Sequence, residues 1–348
     1  MTTIPSTINV PSSTWRIGRR VLRGIGRTLA ALAGLIAVLA LAGASYEAIA
    51  AAGDARRYPA PGQLVDIGGE RLHIQCVGTG SPTVVLDAGL GGSSLDWSLV
   101  QPELGRTTRV CAYDRAGMGW SDPSPQPRTP RQLADELHTL LTNAGIAGPY
   151  VLVGHSLGGK NVRLFALTHP DQVAGMVLVD ARSEYVDANT SPAEAQAFQQ
   201  ALAAQASQYR VARSLGLIRL IGASLWGGPA MSREIRTEGM LLTTSQRGVD
   251  AQTAEGLERA ADDAQLQAAP SLGNRPLTVL ASGQNMTATP YWAEAQRRQA
   301  ALSTNGRLII AEGSGHYIHW DQPTLVIGAV RQVIEDVRSR SSNCAMML

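Results

Sequence analysis

Residues 151–159 read Val-Leu-Val-Gly-His-Ser-Leu-Gly-Gly, and they organise the rest of the chain. The apolar run at their start is typical of a buried strand, and a helical pattern begins at residue 161. Between the two lies a Gly-x-Ser-x-Gly sequence, which predicts a sharp turn that lifts the Ser156 hydroxyl above the end of the strand. The alternative is an ordinary Gly/Ser loop, because both residues are common in loops.

Outward from this turn, apolar strand patterns alternate with helical patterns. The short continuous apolar runs predict buried strands, and the pairing of a strand with a following helix indicates a parallel sheet. Two further runs flank Gly68-Gly69, which is a hairpin signature. The predicted strands cover residues 63–67, 71–76, 82–87, 109–113, 149–153, 173–180, 276–282 and 306–310.

The alternation stops between residues 181 and 275. This segment is too long for a connection and is helical in character, with predicted helices at 193–215, 218–226, 231–244 and 252–268. We therefore expect a helical cap inserted into the core domain.

The N-terminus has a different composition. Residues 1–27 carry five arginines and are expected to be disordered, and residues 28–46 are uncharged and rich in Leu, Ala, Ile and Val. A helix of this length spans about 28 Å, close to the hydrocarbon thickness of a bilayer. We therefore expect residues 28–50 to form either an uncleaved membrane anchor or a signal peptide cut after residue 44 or 50. We expect residues 51–61 to form a linker. The flanking arginines place the remaining chain on the extracytoplasmic side.

Composition restricts the class of protein. The chain has 348 residues, of which 44% are hydrophobic and 17% charged, as in a globular protein. Its basic charge is concentrated near the N-terminus and the remainder is mildly acidic, which argues against nucleic-acid binding. The sequence contains no metal-ligand cluster, phosphate loop or dinucleotide fingerprint. We therefore predict no cofactor and no metal.

Residues 62–340 resemble the α/β-hydrolase superfamily. The resemblance rests on the Gly-x-Ser-x-Gly at 154–158, an Asp-Arg-Ala-Gly-Met-Gly turn at 114–119, Asp180 after a strand, and Gly-Ser-Gly-His at 313–316 before the final helix. It implies an α/β fold with a mostly parallel eight-stranded sheet and helices on both faces. The core would comprise residues 62–180 and 276–340, and the cap residues 181–275.

The resemblance also implies a catalytic triad in the chain order Ser, Asp, His. Ser156 is the expected nucleophile, and it needs a base within hydrogen-bond reach. His316 is the expected base because it follows the last strand in a flexible loop, and His319 is the alternative. The other four histidines are interpreted as structural.

The sequence identifies the third member of the triad, the acid, less directly. Many superfamily members carry it after the seventh strand as Gly-x-x-Asp, but residues 282–286 read Ser-Gly-Gln-Asn-Met, with Asn285 and no acid. Other members place the acid at the end of the sixth strand, where this chain has Asp180. We therefore predict Asp180, with Glu184 and Glu294 as alternatives.

Three further expectations follow from the resemblance. The oxyanion hole should consist of the backbone N–H groups of Leu157 and Leu90. The turn that contains Asp114 and Arg115 should be structural scaffolding. Cys76 and Cys111 would lie on neighbouring strands, so they form either a disulfide bond or two small buried hydrophobic side chains.

The predicted function is a serine hydrolase that cleaves a carboxylic ester with an apolar portion. The substrate would be a small-molecule or lipid-like ester, and the membrane would be contacted through the N-terminal helix. Lactone or amide hydrolysis, perhydrolysis, C–C hydrolysis and a catalytically silent binding protein remain alternatives. Epoxide hydrolysis is disfavoured because in this fold it uses an aspartate nucleophile, and the turn here carries Ser156. The substrate identity and the oligomeric state remain open.

Overall fold

The computed structural model describes residues 12–269 and 271–345. The strands are β1 Gln63–Asp66, β2 Arg71–Val77, β3 Thr83–Asp87, β4 Val110–Tyr113, β5 Tyr150–His155, β6 Val173–Val179, β7 Leu277–Ser282 and β8 Gly306–Ala311. The α-helices are α1 Ser12–Arg57, α2 Gln101–Leu104, α3 Pro130–Asn143, α4 Leu157–Thr168, α5 Glu184–Ala188, α6 Pro192–Ser214, α7 Leu217–Ile221, α8 Arg233–Thr243, α9 Gln246–Glu258, α10 Asp263–Gln267, α11 Gly283–Ala288, α12 Pro290–Ala300, α13 Ile318–Asp321 and α14 Pro323–Ala345.

The eight strands form one sheet in the order β1-β2-β4-β3-β5-β6-β7-β8. β2 pairs antiparallel with β1 and β4, and the other five pairings are parallel. The predicted mostly parallel eight-stranded sheet is therefore confirmed. β5 lies near the centre between β3 and β6, so the turn at Ser156 stands at the middle of the carboxyl edge.

Helices cover both faces of the sheet, as predicted. On one face, α3 and α4 contribute leucines and Phe165 to an apolar core against the sheet. On the other face, Trp97 and Leu104 pack together with the valines and Ile334 of α14. Because β3 and β5 are buried along their whole length, they carry continuous apolar runs, which is why the sequence pattern located them.

Cys76 and Cys111 are directly opposite each other on the antiparallel strands β2 and β4. A disulfide bond joins them, so the first of the two expected alternatives is present. The bond ties the N-terminal hairpin to the parallel part of the sheet. Disulfides form and persist in oxidising compartments.

Helices α5 to α10 lie between β6 and β7, in the segment where the cap was expected. The prediction differs from the structure in the last part of this segment. The single helix expected at 252–268 is two helices, α9 and α10, and α9 begins earlier because the Ser245 side chain caps it through the backbone N–H of Gly248 at 3.1 Å.

α1 is longer than the sequence pattern indicated, at both ends. It begins at Ser12, so residues 12–27 are helical and the expectation of disorder there is wrong; residues 1–11 lie outside the described residues. It also runs to Arg57, through most of the expected linker. Residues 48–56 are rich in alanine, and Pro59 is the first proline after this stretch, so the helix continues until just before it.

Candidate active site

Ser156 occupies the tight turn between β5 and α4. Its φ is 50° and its ψ is −116°, a backbone conformation that non-glycine residues rarely adopt. The flanking glycines are required by close approaches: a Cβ on Gly154 would lie 2.5 Å from the carbonyl oxygen of Gly158, and a Cβ on Gly158 would lie 2.5 Å from that of Asp87. The turn therefore has the strained geometry that the Gly-x-Ser-x-Gly sequence predicts.

Asp180 directly follows β6 and is fully buried. Its φ of 40° makes it, with Ser156, one of the two non-glycine residues with positive φ in the described part of the chain. Its carboxylate accepts four hydrogen bonds: from His316 Nδ1 at 2.6 Å, Asn285 Nδ2 at 2.6 Å, Trp292 Nε1 at 2.9 Å and the backbone N–H of Ser282 at 3.0 Å. Such a set of donors orients a buried carboxylate and compensates for its lost hydration.

His316 lies in the loop after β8, and several hydrogen bonds fix that loop. Asp321 accepts from the Ser314 hydroxyl at 3.0 Å and from the backbone N–H of Gly315 at 2.9 Å. His155 Nε2 donates to the carbonyl oxygen of His316 at 3.0 Å. Because Nδ1 of His316 donates to Asp180, its Nε2 is left to accept a proton.

The alternatives to His316 and Asp180 lie elsewhere. His319 is fully buried beside Trp97 and is not among the residues that line the cavity. Burial lowers its pKa to about 3, so the ring stays neutral. Glu184 pairs with Arg163 on α4 at 2.6 Å, and Glu294 pairs with arginines of its own helix at the surface. The structure brings none of these groups into a pair with His316.

Leu157 and Leu90, the expected oxyanion-hole residues, both line the cavity that contains Ser156 and His316. Leu157 begins α4, and the first N–H groups of a helix have no partner within the helix. Leu90 lies in the glycine-rich loop after β3. A Cβ on the neighbouring Gly89 would lie 3.2 Å from the Ser156 Cβ, so the loop passes directly over the nucleophile.

Arg115 holds this loop in place. It is fully buried, and its five N–H groups are all used: two for Glu255, and one each for Asp87 and the carbonyl oxygens of Ala88 and Gly89, at 2.7 to 2.9 Å. Because Glu255 belongs to α9, the same side chain joins the cap to the loop. The scaffolding role expected for Arg115 is consistent with these contacts, but the link to the cap was not foreseen.

Asp114 is also fully buried. Its carboxylate pairs with His73 Nδ1 at 2.8 Å and accepts from the backbone N–H groups of Ser94 and Trp120. These contacts connect the turn after β4 to β2 and to the chain that follows the glycine-rich loop. They match the scaffolding and structural roles expected for Asp114 and His73.

The cavity has a volume of about 630 Å³ and lies between the core and the cap. Its core side contains Ser156, His316 and the glycine-rich loop. Its cap side combines apolar and aromatic side chains with polar ones and includes two arginines. Arg182 and Arg259 line it while sharing the carboxylate of Asp187, at 2.5 Å and 3.7 Å respectively. The cap-side lining residues are Phe198, Gln205, Tyr209, Leu225, Trp226, Thr243, Gln252 and Arg259.

Asp96 and His155 are buried side chains that line the same cavity as Ser156. Each has one atom without a hydrogen-bond partner among the described residues, which for His155 is Nδ1. Asp96 lines the cavity, is 2% exposed, and its Oδ1 has no hydrogen-bond partner among the described residues. Burial raises the pKa of Asp96 to about 7. Burial also holds the pKa of His155 well below its usual range, so this ring is neutral and acts as a donor to the His316 loop.

The structure places Ser156 and His316 at one cavity and pairs His316 with Asp180, whereas most of the groups around them give no signal in the sequence. Asn285, at the position where many superfamily members carry the acid, could orient an imidazole by its residue type; in the structure it donates to Asp180 instead. Trp292 and Arg182 gave no local signal, because their contacts depend on how α12 and the chain after β6 fold back on the site. No cluster of three or more His, Cys, Asp or Glu side chains suited to a metal occurs within the described ranges.

Comparison with known proteins identifies the family and supports the fold. The model of the alpha/beta hydrolase family matches residues 84–329. An uncharacterized protein of Schizosaccharomyces pombe is 31% identical over 278 residues, which cover 70% of this chain and 50% of that protein. The chain thus spans about half the length of this relative. A putative carbamate hydrolase, RutD, of Yersinia enterocolitica is 40% identical over 114 residues, 32% of this chain and 41% of that protein.

Solved structures share the fold. A thermophilic esterase from Thermogutta terrifontis is 23% identical with a TM-score of 0.61, covering 79% of this chain and 97% of its own. The epoxide hydrolase CorEH is 19% identical with a TM-score of 0.60, covering 79% and 98%. Est816, described as an N-acyl homoserine lactone degrading enzyme, is 18% identical with a TM-score of 0.58, covering 78% and 99%. At these identities the likeness concerns the fold and leaves the substrate open.

Proposed function

Since the chain belongs to the alpha/beta hydrolase family, we propose that it is a serine hydrolase that cleaves a carboxylic ester with an apolar portion. The observation that carries the proposal is the 2.6 Å pair between His316 Nδ1 and Asp180 Oδ2 at the cavity that also contains Ser156. A serine in a strained turn, a histidine with a free Nε2 and a buried carboxylate are the three parts of a nucleophilic triad.

In the proposed first step, Ser156 Oγ attacks the carbonyl carbon while His316 Nε2 removes its proton. The resulting imidazolium is stabilised by the Asp180 carboxylate, which four hydrogen-bond donors hold in place. The tetrahedral oxyanion accepts from the backbone N–H groups of Leu157 and Leu90. In mutational studies of other enzymes, losing one such donor costs about 10²–10³ in rate.

In the second half, His316 gives its proton to the leaving alcohol and an acyl group remains on Ser156. A water molecule, deprotonated by His316, then releases the acid by the same route in reverse. Epoxide opening in this fold needs a carboxylate nucleophile at the turn, and Ser156 does not supply one. The resemblance to CorEH is therefore attributed to the fold alone.

The cavity lining supports an ester with an apolar portion. Phe198, Leu225 and Trp226 offer apolar surface on the cap side. A cavity of about 630 Å³ lies within the range of small-molecule sites, which are about 300–1,000 Å³. The preference for an ester over a lactone or amide stays a proposal.

A series of p-nitrophenyl esters of rising acyl length tests this function. The wild-type chain should hydrolyse at least the members that the cavity can hold, and Ser156→Ala should lose about 10⁴-fold or more of kcat while keeping its fold by circular dichroism. Undiminished turnover by Ser156→Ala would rule out the mechanism. Lactones and anilides of the same acyl groups, assayed in parallel, decide which bond is preferred.

For location, we propose that α1 is a retained anchor that crosses the membrane, with the hydrolase domain on the extracytoplasmic side. Its residues from Leu22 onward include an 18-residue window of mean hydropathy 2.1 with none of it buried. Glu47 forms ion pairs with Arg213 and Arg219 of the cap at 2.7 and 2.6 Å, and cleavage after residue 50 would remove this partner. The disulfide bond is consistent with an oxidising compartment. N-terminal sequencing of the mature protein tests the proposal, since a start near residue 45 or 51 would show cleavage.

A further inference from the structure

A group of exposed apolar side chains lies on α7 and just after it. Leu217, Leu220, Ile221 and Leu225 are 43%, 65%, 54% and 62% exposed, whereas Ile218 of the same helix is buried in the apolar core of the cap. We refer to these four exposed residues as the α7 patch. Concentrated exposed apolar surface of this kind marks a site of contact with another apolar surface.

The α7 patch begins where the apolar run of α1 ends. A Cβ added to Gly43 would lie 2.2 Å from the carbonyl oxygen of Leu215, and a Cβ on Gly216 would lie 3.3 Å from the Tyr46 ring. The last turn of the uncharged run therefore touches the cap immediately before α7. This contact lies at the end of the uncharged run, where α1 changes from apolar to polar residues. α7 is therefore at the level where a membrane-spanning α1 would leave the hydrocarbon core.

Ion pairs fix this arrangement. Arg219 of α7 binds Asp54 through two hydrogen bonds, at 2.6 and 2.9 Å, and contacts Glu47 at 2.6 Å. Arg213 of α6 contacts Glu47 at 2.7 Å. Two positive and two negative side chains balance at this contact, and Glu47 is 8% exposed. α1 is thereby held against α6 and α7 rather than being a free tether.

The far end of the α7 patch reaches the active-site cavity. Leu225 lines the cavity that contains Ser156 and is at the same time 62% exposed, so it stands at the cavity mouth. The neighbouring Trp226 lines the same cavity but is 9% exposed. The α7 patch therefore extends from the end of the apolar run of α1 to Leu225 at the cavity mouth, and Trp226 follows inside the cavity.

We propose that the α7 patch rests on the lipid of the bilayer that α1 crosses, so that the cavity mouth opens toward the membrane surface. The occupant is lipid because the patch continues the membrane-compatible surface of α1. Apolar residues at such an interface enter the boundary between headgroups and acyl chains by about 5–10 Å. The inference rests on the proposed anchor, and it identifies the substrate class as esters that partition into the bilayer.

Depth-dependent fluorescence quenching tests the location without any need for activity. The full chain, in a Cys344→Ser background, is reconstituted into phosphatidylcholine nanodiscs and labelled at Ile221→Cys or at Leu257→Cys, a cap residue on α9 that is 53% exposed. Lipids with a nitroxide near the headgroup should quench the label at position 221 about threefold more than the label at 257. Equal quenching at the two positions would overturn the proposal.

An activity ratio tests the consequence. The variant with Leu217, Leu220 and Ile221 all changed to Gln is compared with Leu257→Gln, on a long-chain ester embedded in vesicles and on a short water-soluble ester. The vesicle rate, divided by the soluble rate, should fall about tenfold in the triple variant only. An unchanged ratio contradicts the proposal. If the wild-type chain cleaves neither ester, the proposed hydrolase function fails instead, and the quenching result still decides where the α7 patch lies.

Discussion

The α/β core and the helical cap share one cavity but contribute to it differently. The core supplies Ser156, Asp180 and His316 from the ends of buried parallel strands, and the first two are held at strained positive φ angles. Such strain, about 1–3 kcal/mol for each residue, persists only where the surroundings determine the backbone. The cap supplies apolar and aromatic side chains, three uncharged polar ones (Gln205, Thr243 and Gln252) and the arginines around Asp187. Under the proposed function, the core would determine the reaction and the cap would determine which substrates reach it.

The first prediction tests the contribution of the core. Asp180→Asn should lower kcat about 10⁴-fold on the best p-nitrophenyl ester, because His316 would lose both its orientation and the charge that stabilises the imidazolium. Asn285→Ala removes one donor to the same carboxylate and should cost only about tenfold. Steady-state kinetics of both variants check this order. The reverse order would make Asn285, and not Asp180, the group that supports the base.

The second prediction concerns the joint between core and cap. Glu255→Ala should lower the free energy of unfolding by about 3–5 kcal/mol, because it leaves Arg115 buried with one carboxylate instead of two. Glu258→Ala, at an exposed position on the same helix, is the matched control and should change it by less than about 0.5 kcal/mol. Urea unfolding monitored by circular dichroism gives both values. Equal effects in the two variants would show that Arg115 does not join the two regions.

The third prediction uses pH. The pKa of Asp96 is raised from 3.8 to about 7 in the folded protein, so the folded state binds the proton more tightly and stability falls as pH rises between these values. Asp96→Asn removes this loss of folding stability at high pH, because the amide does not ionise. Its free energy of unfolding should exceed that of the wild type by up to about 4 kcal/mol at pH 8, and the two should converge near pH 4. Denaturant titrations at several pH values check this, and a pH-independent difference would show that folding does not shift the pKa of Asp96.

The fourth and smallest prediction tests the contribution of the cap. Phe198→Ala should raise KM for long-chain esters about tenfold and lower kcat less, since it removes apolar surface without touching the triad. Leu257→Ala, outside the cavity lining, serves as the control. Kinetics across the acyl-length series give the comparison. A fall in kcat with an unchanged KM would mean that the cap takes part in the chemical step.

The same contrast explains what the sequence could reveal. Buried parallel strands leave continuous apolar runs, and a strained turn leaves glycines, so the order of elements and the candidate positions of the proposed triad could be predicted from local patterns. Asp180 was identified because it directly follows a recognisable strand and because residues 282–286 contain no acid.

Other features depend on contacts between distant parts of the chain. Glu255 lies 140 positions from Arg115, and Trp292 lies 112 positions from Asp180. The attachment of α1 to the cap needs Glu47 and Asp54 to meet Arg213 and Arg219, and no local pattern shows this. The division of the predicted 252–268 helix into two helices likewise depends on how the cap packs.

Covalent labelling of the proposed nucleophile is the most direct test of the mechanism. The full chain is treated with a fluorophosphonate, which reacts with activated serines, and the modified peptide is identified by mass spectrometry. The mechanism predicts a single adduct on Ser156, formed about 10⁴-fold more slowly in Asp180→Asn and absent in Ser156→Ala. An adduct on another residue, or equal labelling of the wild type and Asp180→Asn, would contradict it.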